Sequence, residues 1–259
     1  MLKYDDEKAL RNWHEPVLQV RLYLGCCFLA PVVHDVRLGV NGMQLLFLGT
    51  GTSVGIPVIG CDCRVCRSPD PRNRRLRSSL YFVAAGTHIV VDTATDFRQQ
   101  VLAWGVPRVD AVLITHSHAD HIFGLDDIRR FNTMQGGVIP VYGSVRTIAD
   151  LERIFDYVHH PALPGTFRPR LAFTPVMAPF DIGSVHINPI PVMHGGAETL
   201  GFRIEAEGHA IGYFPDCHTM PEDAVRQLRG MDVMILDGLR ATPHSTHMTI
   251  SESVDALRR

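Results

Sequence analysis

At 259 residues, 46% hydrophobic and 20% charged, the chain has the composition of an ordinary globular protein able to bury a substantial core. Its formal charge of −2 gives no overall drive toward nucleic acid or an anionic membrane surface, so any phosphate recognition has to be local. The six cysteines form no secreted disulfide framework, which points to a reducing, cytoplasmic setting.

Residues 1–42 differ from the rest. They hold both lysines, Lys3 and Lys8, whereas residues 43–259 carry their positive charge on arginine alone. The apolar run Leu22–Val33 is too short to span a bilayer and follows too long a charged leader for a signal peptide. We read 1–42 as an extension with little structure of its own and 43–259 as one domain, with Met43 the expected natural start. From there, apolar and β-branched runs predict strands at 43–49, 79–85, 88–92, 110–115, 138–142, 185–192, 199–206, 209–215 and 232–237. Helices are predicted over 95–104, 124–131, 145–157, 221–229 and 249–258, with Ser144 as N-cap of the third.

The most specific signal is Thr115-His116-Ser117-His118-Ala119-Asp120-His121, directly after the buried-strand run Asp110–Ile114. On extended backbone His116 and His118 project to the same side and can grip one ion, while Asp120 and His121 follow where the chain turns and can face a second. Imidazole and carboxylate suit zinc, manganese or iron at hydrolytic sites and leave coordination positions open for water. No thiolate stands in this run, which argues against a closed structural site. Earlier in the chain Cys61, Cys63 and Cys66, spaced C-x-C-x-x-C, could supply three legs of a tetrahedral structural zinc. Arg64, Arg67, Arg72, Arg74, Arg75 and Arg77 follow as a basic segment, either a solvated loop or a binder of anions.

The run Thr115–His121 resembles the signature of the metallo-β-lactamase superfamily, and further matches extend the resemblance over most of 43–259. Gly49-Thr50-Gly51-Thr52-Ser53 follows Leu45–Leu48, Asp92 closes Ile89–Val91, His194 follows Ile190–Val192, and Asp216 follows Ile211–Phe214. The resemblance implies an α/β fold, a four-layer αββα sandwich whose ligands come from loops along one edge. It also implies two divalent transition-metal ions, zinc or manganese: His116, His118 and His194 would hold one, Asp120 and His121 the other, and Asp216 would bridge them. Asp120 would in addition orient a metal-bound hydroxide. His247 would be the general acid, with His244 as its backup, since a histidine with a pKa of about 6.5 can donate near neutral pH.

The cysteine element is similar to that of the phosphoribosyl cyclic phosphodiesterases of the carbon–phosphorus lyase pathway, in which a late histidine completes the zinc site. In the superfamily the last metal histidine sits on a strand after the helix that begins here near Thr249, and the sequence stops at Arg259. The resemblance thus implies a C-terminally truncated domain; His244 and His247 precede that helix and make poorer substitutes.

The expected function is that of a metal-dependent phosphodiesterase acting on a small cyclic or ribosyl phosphate. Other hydrolases of the scaffold compete, namely lactonases, thioesterases and tRNA 3′-processing nucleases, as does a non-catalytic cofactor-biosynthesis protein like the pyrroloquinoline quinone accessory protein. The nuclease would need a long basic arm for tRNA, and the sequence has no basic insertion of that size. A small phosphorylated substrate is therefore the expected partner, with neither membrane nor nucleic acid; the oligomeric state stays open, a homodimer included. His218 is expected near the site through its closeness to Asp216, and His159-His160 at the site's mouth.

Overall fold

The computed structural model describes residues 38–40, 42–161, 165 and 167–258, so most of the 1–42 segment lies outside the described residues. Two sheets are stacked face to face. The first runs in the order β1 (Leu38–Val40), β2 (Met43–Gly49), β3 (Ser79–Ala84), β4 (Thr87–Val91), β5 (Ala111–Leu113), β6 (Ile139–Gly143) and β7 (Leu171–Pro175). Its first four strands are antiparallel and the last four pair in parallel. The second is β12 (Val233–Leu236), β11 (His209–Phe214), β10 (Ala197–Ala206), β9 (Val185–His194) and β8 (Phe180–Ile182), antiparallel except for β11 with β12.

Alternation along the strands divides the apolar residues into three layers. Met43, Leu45 and Phe47 of β2, Ile89 and Val91 of β4, Ile211 and Tyr213 of β11, and Val233 and Ile235 of β12 fill the space between the sheets. Their neighbours Leu48, Val90 and Val112 point the other way. There they meet α1 (Phe97–Trp104), α2 (Ala119–Ile122), α3 (Arg129–Gln135) and α4 (Val145–Ile154). Phe214, Met234 and Leu236 face outward from the second sheet against α5 (Glu222–Gln227) and α6 (Ile250–Leu257). The result is the expected four-layer αββα sandwich.

Ser144 caps α4 by accepting from the Thr147 amide at 3.1 Å, as the sequence predicts. Two predicted helices are broken. Residues 125–128 form a 3₁₀ turn before α3, which ends at Gly136 in the left-handed conformation, and a 3₁₀ turn at Asp156–Val158 follows α4. β1, β7, β8 and the four-residue α2 are additional to the sequence reading. No helix among the described residues is long and apolar enough to cross a membrane.

Strand direction gathers the chemistry. β2, β4, β5, β9, β11 and β12 all run the same way, and their C-terminal ends lead into Thr50, Asp92, Thr115, His194, Asp216 and Asp237 along one rim. The Leu200 amide donates to the Thr115 carbonyl at 3.0 Å and ties the two sheets together there.

Candidate metal centre and active site

At that rim the sequence-predicted residues converge. His116, His118 and His194 present ligand atoms within 4.8 Å of one another; so do His116, His121 and Asp216, and so do His194, Asp216 and His247. Asp216 lies between them: one oxygen is 3.5 Å from His121 Nε2, the other 3.5 Å from His194 Nε2 and 3.9 Å from His116 Nε2. Asp120 stands 3.4 Å from His121 Nε2.

What turns these rings inward is a set of bonds behind them. His121 Nδ1 donates to Asp92 Oδ2 at 2.7 Å, and His194 Nδ1 donates to the Thr246 carbonyl at 2.8 Å. The Thr115 hydroxyl donates to Asp92 and so accepts from His116 Nδ1 at 2.9 Å. Each of the three rings thus spends Nδ1 on an outer partner and aims Nε2 at the centre. Asp92, fully buried at the end of β4, orients His121 directly and His116 through Thr115.

The donor set fits divalent ions. Asp92, Asp120, Asp216 and Asp237 are largely withdrawn from solvent, yet among the described residues none has a lysine or arginine within ion-pair distance. Only imidazoles or a bound cation can offset that charge. Burial works against the charged form of His121, but Asp92, Asp216 and Asp120 outweigh it and hold its pKa well up. Burial is also the largest influence on His116, and there it prevails and keeps the ring neutral, the form a metal requires.

Beside the centre lies a cleft of about 350 Å³ lined by Thr50, Thr52, Ser53, Asp120, Asp216, Arg240, His244 and His247, among others. Gly49 and Gly51 are needed at its wall: a Cβ on Gly49 would come within 2.0 Å of the Arg77 carbonyl. His247 packs its ring on His194, centroids 4.6 Å apart, and donates Nδ1 to Asp237 Oδ2 at 2.7 Å. Asp237 also accepts from the Cys217 amide, and burial pushes its carboxyl up to about 6.

Sequence reasoning missed Asp237. The signal was present, because Asp237 closes the apolar run Val233–Leu236 as Asp92 and Asp216 close theirs. Of the remaining histidines, His244 sits 5.2 Å from His247 ring to ring, and His218 donates to the His247 carbonyl at 3.1 Å. His159 packs on Phe173 and His160 pairs with Asp156, with no contact to the centre among the described residues.

The sulfurs of Cys61, Cys63 and Cys66 also converge within 4.8 Å. In the basic segment Arg67 pairs with Asp62, Arg72 with Asp70 and Arg77 with Asp96, so part of its charge is spent internally.

The family model of the beta-lactamase superfamily domain matches residues 87–259. The chain belongs to the metallo-β-lactamase superfamily. Within it, a solved diphosphatase of the PhnP family is 36% identical, with a TM-score of 0.75 over 83% of this chain and 81% of that one. An octanoyltransferase of Porphyromonas gingivalis is 34% identical over 218 residues, which are 83% of this chain but only 43% of that protein. The chain therefore spans less than half of that relative. The coenzyme PQQ synthesis protein B of Methylobacterium nodulans is 29% identical over 224 residues, 76% of this chain and 73% of that protein.

Proposed function

We propose that this superfamily member is a metal-dependent phosphodiesterase acting on a small cyclic or ribosyl phosphate. The observation that carries the reading is the placement of His247, paired with Asp237, beside a centre of His116, His118, His121, His194 and Asp216 on the wall of a small cleft. The likeness to a PhnP-family diphosphatase supports phosphorus as the electrophile.

His116, His118 and His194 would hold one ion and Asp120 with His121 the second, Asp216 lying between them. When bound, such a pair acidifies water and neutralises charge developing on a phosphoryl group. The chain's own residues do the rest. Asp120, at the cleft wall beside His121, accepts a hydrogen bond from the attacking water and fixes its approach. His247 carries the proton for the leaving alkoxide: its Nδ1 is engaged with Asp237, so Nε2 is the nitrogen left to donate. Thr50, Thr52 and Ser53 offer hydroxyls along the wall, and Arg240 adds a cation. Cys61, Cys63 and Cys66 would hold a separate structural zinc.

The deciding experiment is turnover of bis(p-nitrophenyl) phosphate by protein reconstituted with zinc or manganese, run beside lactone and thioester panels. Metal-dependent release of p-nitrophenol is expected. Turnover confined to lactones or thioesters would move the assignment to another hydrolase, and no turnover of any kind would favour a non-catalytic cofactor-biosynthesis protein.

A further inference from the structure

Three of the four histidines at the centre are fixed from behind by Thr115, Asp92 or the Thr246 carbonyl. His118 is different. It is solvent-exposed, and among the described residues its ring has one hydrogen-bond partner, His116 Nε2, 2.8 Å from His118 Nδ1 across the centre itself. Among the described residues nothing holds its outer nitrogen, so beyond its packing on the His116 and His194 rings its placement depends on its backbone.

That backbone is fastened by the preceding side chain. Ser117 donates to Asp150 Oδ2 at 2.6 Å, a charge-assisted bond spanning 33 residues. Asp150 lies on α4, which is anchored in the core by Ile148 and Leu151 and capped at Ser144. The other Asp150 oxygen meets the exposed Arg153 at 3.3 Å, and the Ser117 bond is the largest influence holding the Asp150 carboxyl below its usual range.

We propose that Asp150, acting through Ser117, is the positioning residue for His118 and thereby sets the affinity of the ion site that His118 shares with His116 and His194. The role rests on the metal-centre reading above. Metal ligands are ordinarily oriented by partners behind them, whose removal costs about 10–100-fold in affinity. Here that support reaches the ligand through the adjoining residue, because the His118 ring itself opens to solvent.

The test is titration of the metal-free full chain with Co(II), carried out in the Cys63→Ser background so that the thiol cluster does not contribute, reading affinity by competition with a chelator and geometry by the visible absorption bands. Ser117→Ala and Asp150→Ala are each expected to weaken Co(II) binding about tenfold and to alter the bands. Asp150→Asn, which keeps an acceptor for Ser117, should restore most of the affinity, and Arg153→Ala should leave both readouts unchanged. If Asp150→Ala fails to fold, Ser117→Ala decides, since it leaves α4 intact. Unchanged affinity and bands in Ser117→Ala would overturn the role alone; a Cys63→Ser parent that takes up no cobalt would overturn the metal centre and the role with it.

Discussion

In the proposed mechanism the carboxylates of Asp120 and Asp237 have different tasks. Asp120 lines the cleft and stands beside His121, so Asp120→Ala is expected to abolish hydrolysis without unfolding the chain; near wild-type turnover in a variant with native circular dichroism would contradict its role toward the nucleophile. Asp237 would act through His247, from whose Nδ1 it accepts a hydrogen bond. Burial disfavours the charged His247 ring, but the Asp237 hydrogen bond and charge outweigh it and raise its pKa. In Asp237→Asn the negative charge of Asp237 is lost while Asp216 and Asp120 remain, so the folded pKa falls and the protonated donor is lost at lower pH. The alkaline limb of the kcat/KM profile should therefore move to lower pH, and an unmoved limb would remove His247 as the donor. His116, His118, Asp120 and His121 were legible because they lie within one short run, and His194 and Asp216 because each ends an apolar strand. The Thr246 carbonyl was not, since a backbone acceptor has no letter in the sequence. Nor was the Ser117–Asp150 bond, whose partners meet only after α4 packs.

At the scale of elements, the inter-sheet strands read clearly because they are almost wholly apolar or strictly alternating. β8 and α2 are too short to show a period, and β7 ends in a proline that weakens the strand signal. α6 is held by a capping box: the Thr249 hydroxyl accepts from the Glu252 amide, and Glu252 accepts from the Thr249 amide at 2.7 Å. That amide, with the Thr249 hydroxyl, lowers the Glu252 pKa in the folded state, so the carboxylate's stabilisation is present above its ordinary pKa and is lost as the pH falls through the folded value. Thr249→Ala is expected to cost about 1 kcal/mol at neutral pH and less in acid, read from denaturant midpoints. An equal cost at both ends would mean that the bond from the Thr249 hydroxyl to the Glu252 carboxylate contributes nothing. Cys63→Ser should lower zinc content and Tm if the three thiols hold zinc, whereas an unchanged Tm would discard that site.

For the whole molecule, the decisive feature is that the centre draws on both sheets. His116, His118 and His121 follow β5 of the first sheet, whereas His194 ends β9 and Asp216 follows β11 of the second. Ions bound there would join the two halves of the sandwich and favour the folded chain, because His194 and Asp216 meet the His116–His121 run only after folding, whereas that run alone offers the unfolded chain a weaker site. Binding at a thousandfold excess over Kd stabilises by about 4 kcal/mol, which in a domain of this size corresponds to a Tm shift of roughly 10 °C. Chelation should lower Tm by that order, restore it on adding zinc or manganese, and loosen amide protection around Leu200, whose bond to the Thr115 carbonyl joins the sheets beside the centre. Cys63→Ser separates this effect from the thiol cluster, since the variant should keep the chelator-sensitive drop. A Tm indifferent to chelator in Cys63→Ser but sensitive in the wild type would mean that the thiols, and not the histidines and Asp216, supply the only stabilising ion.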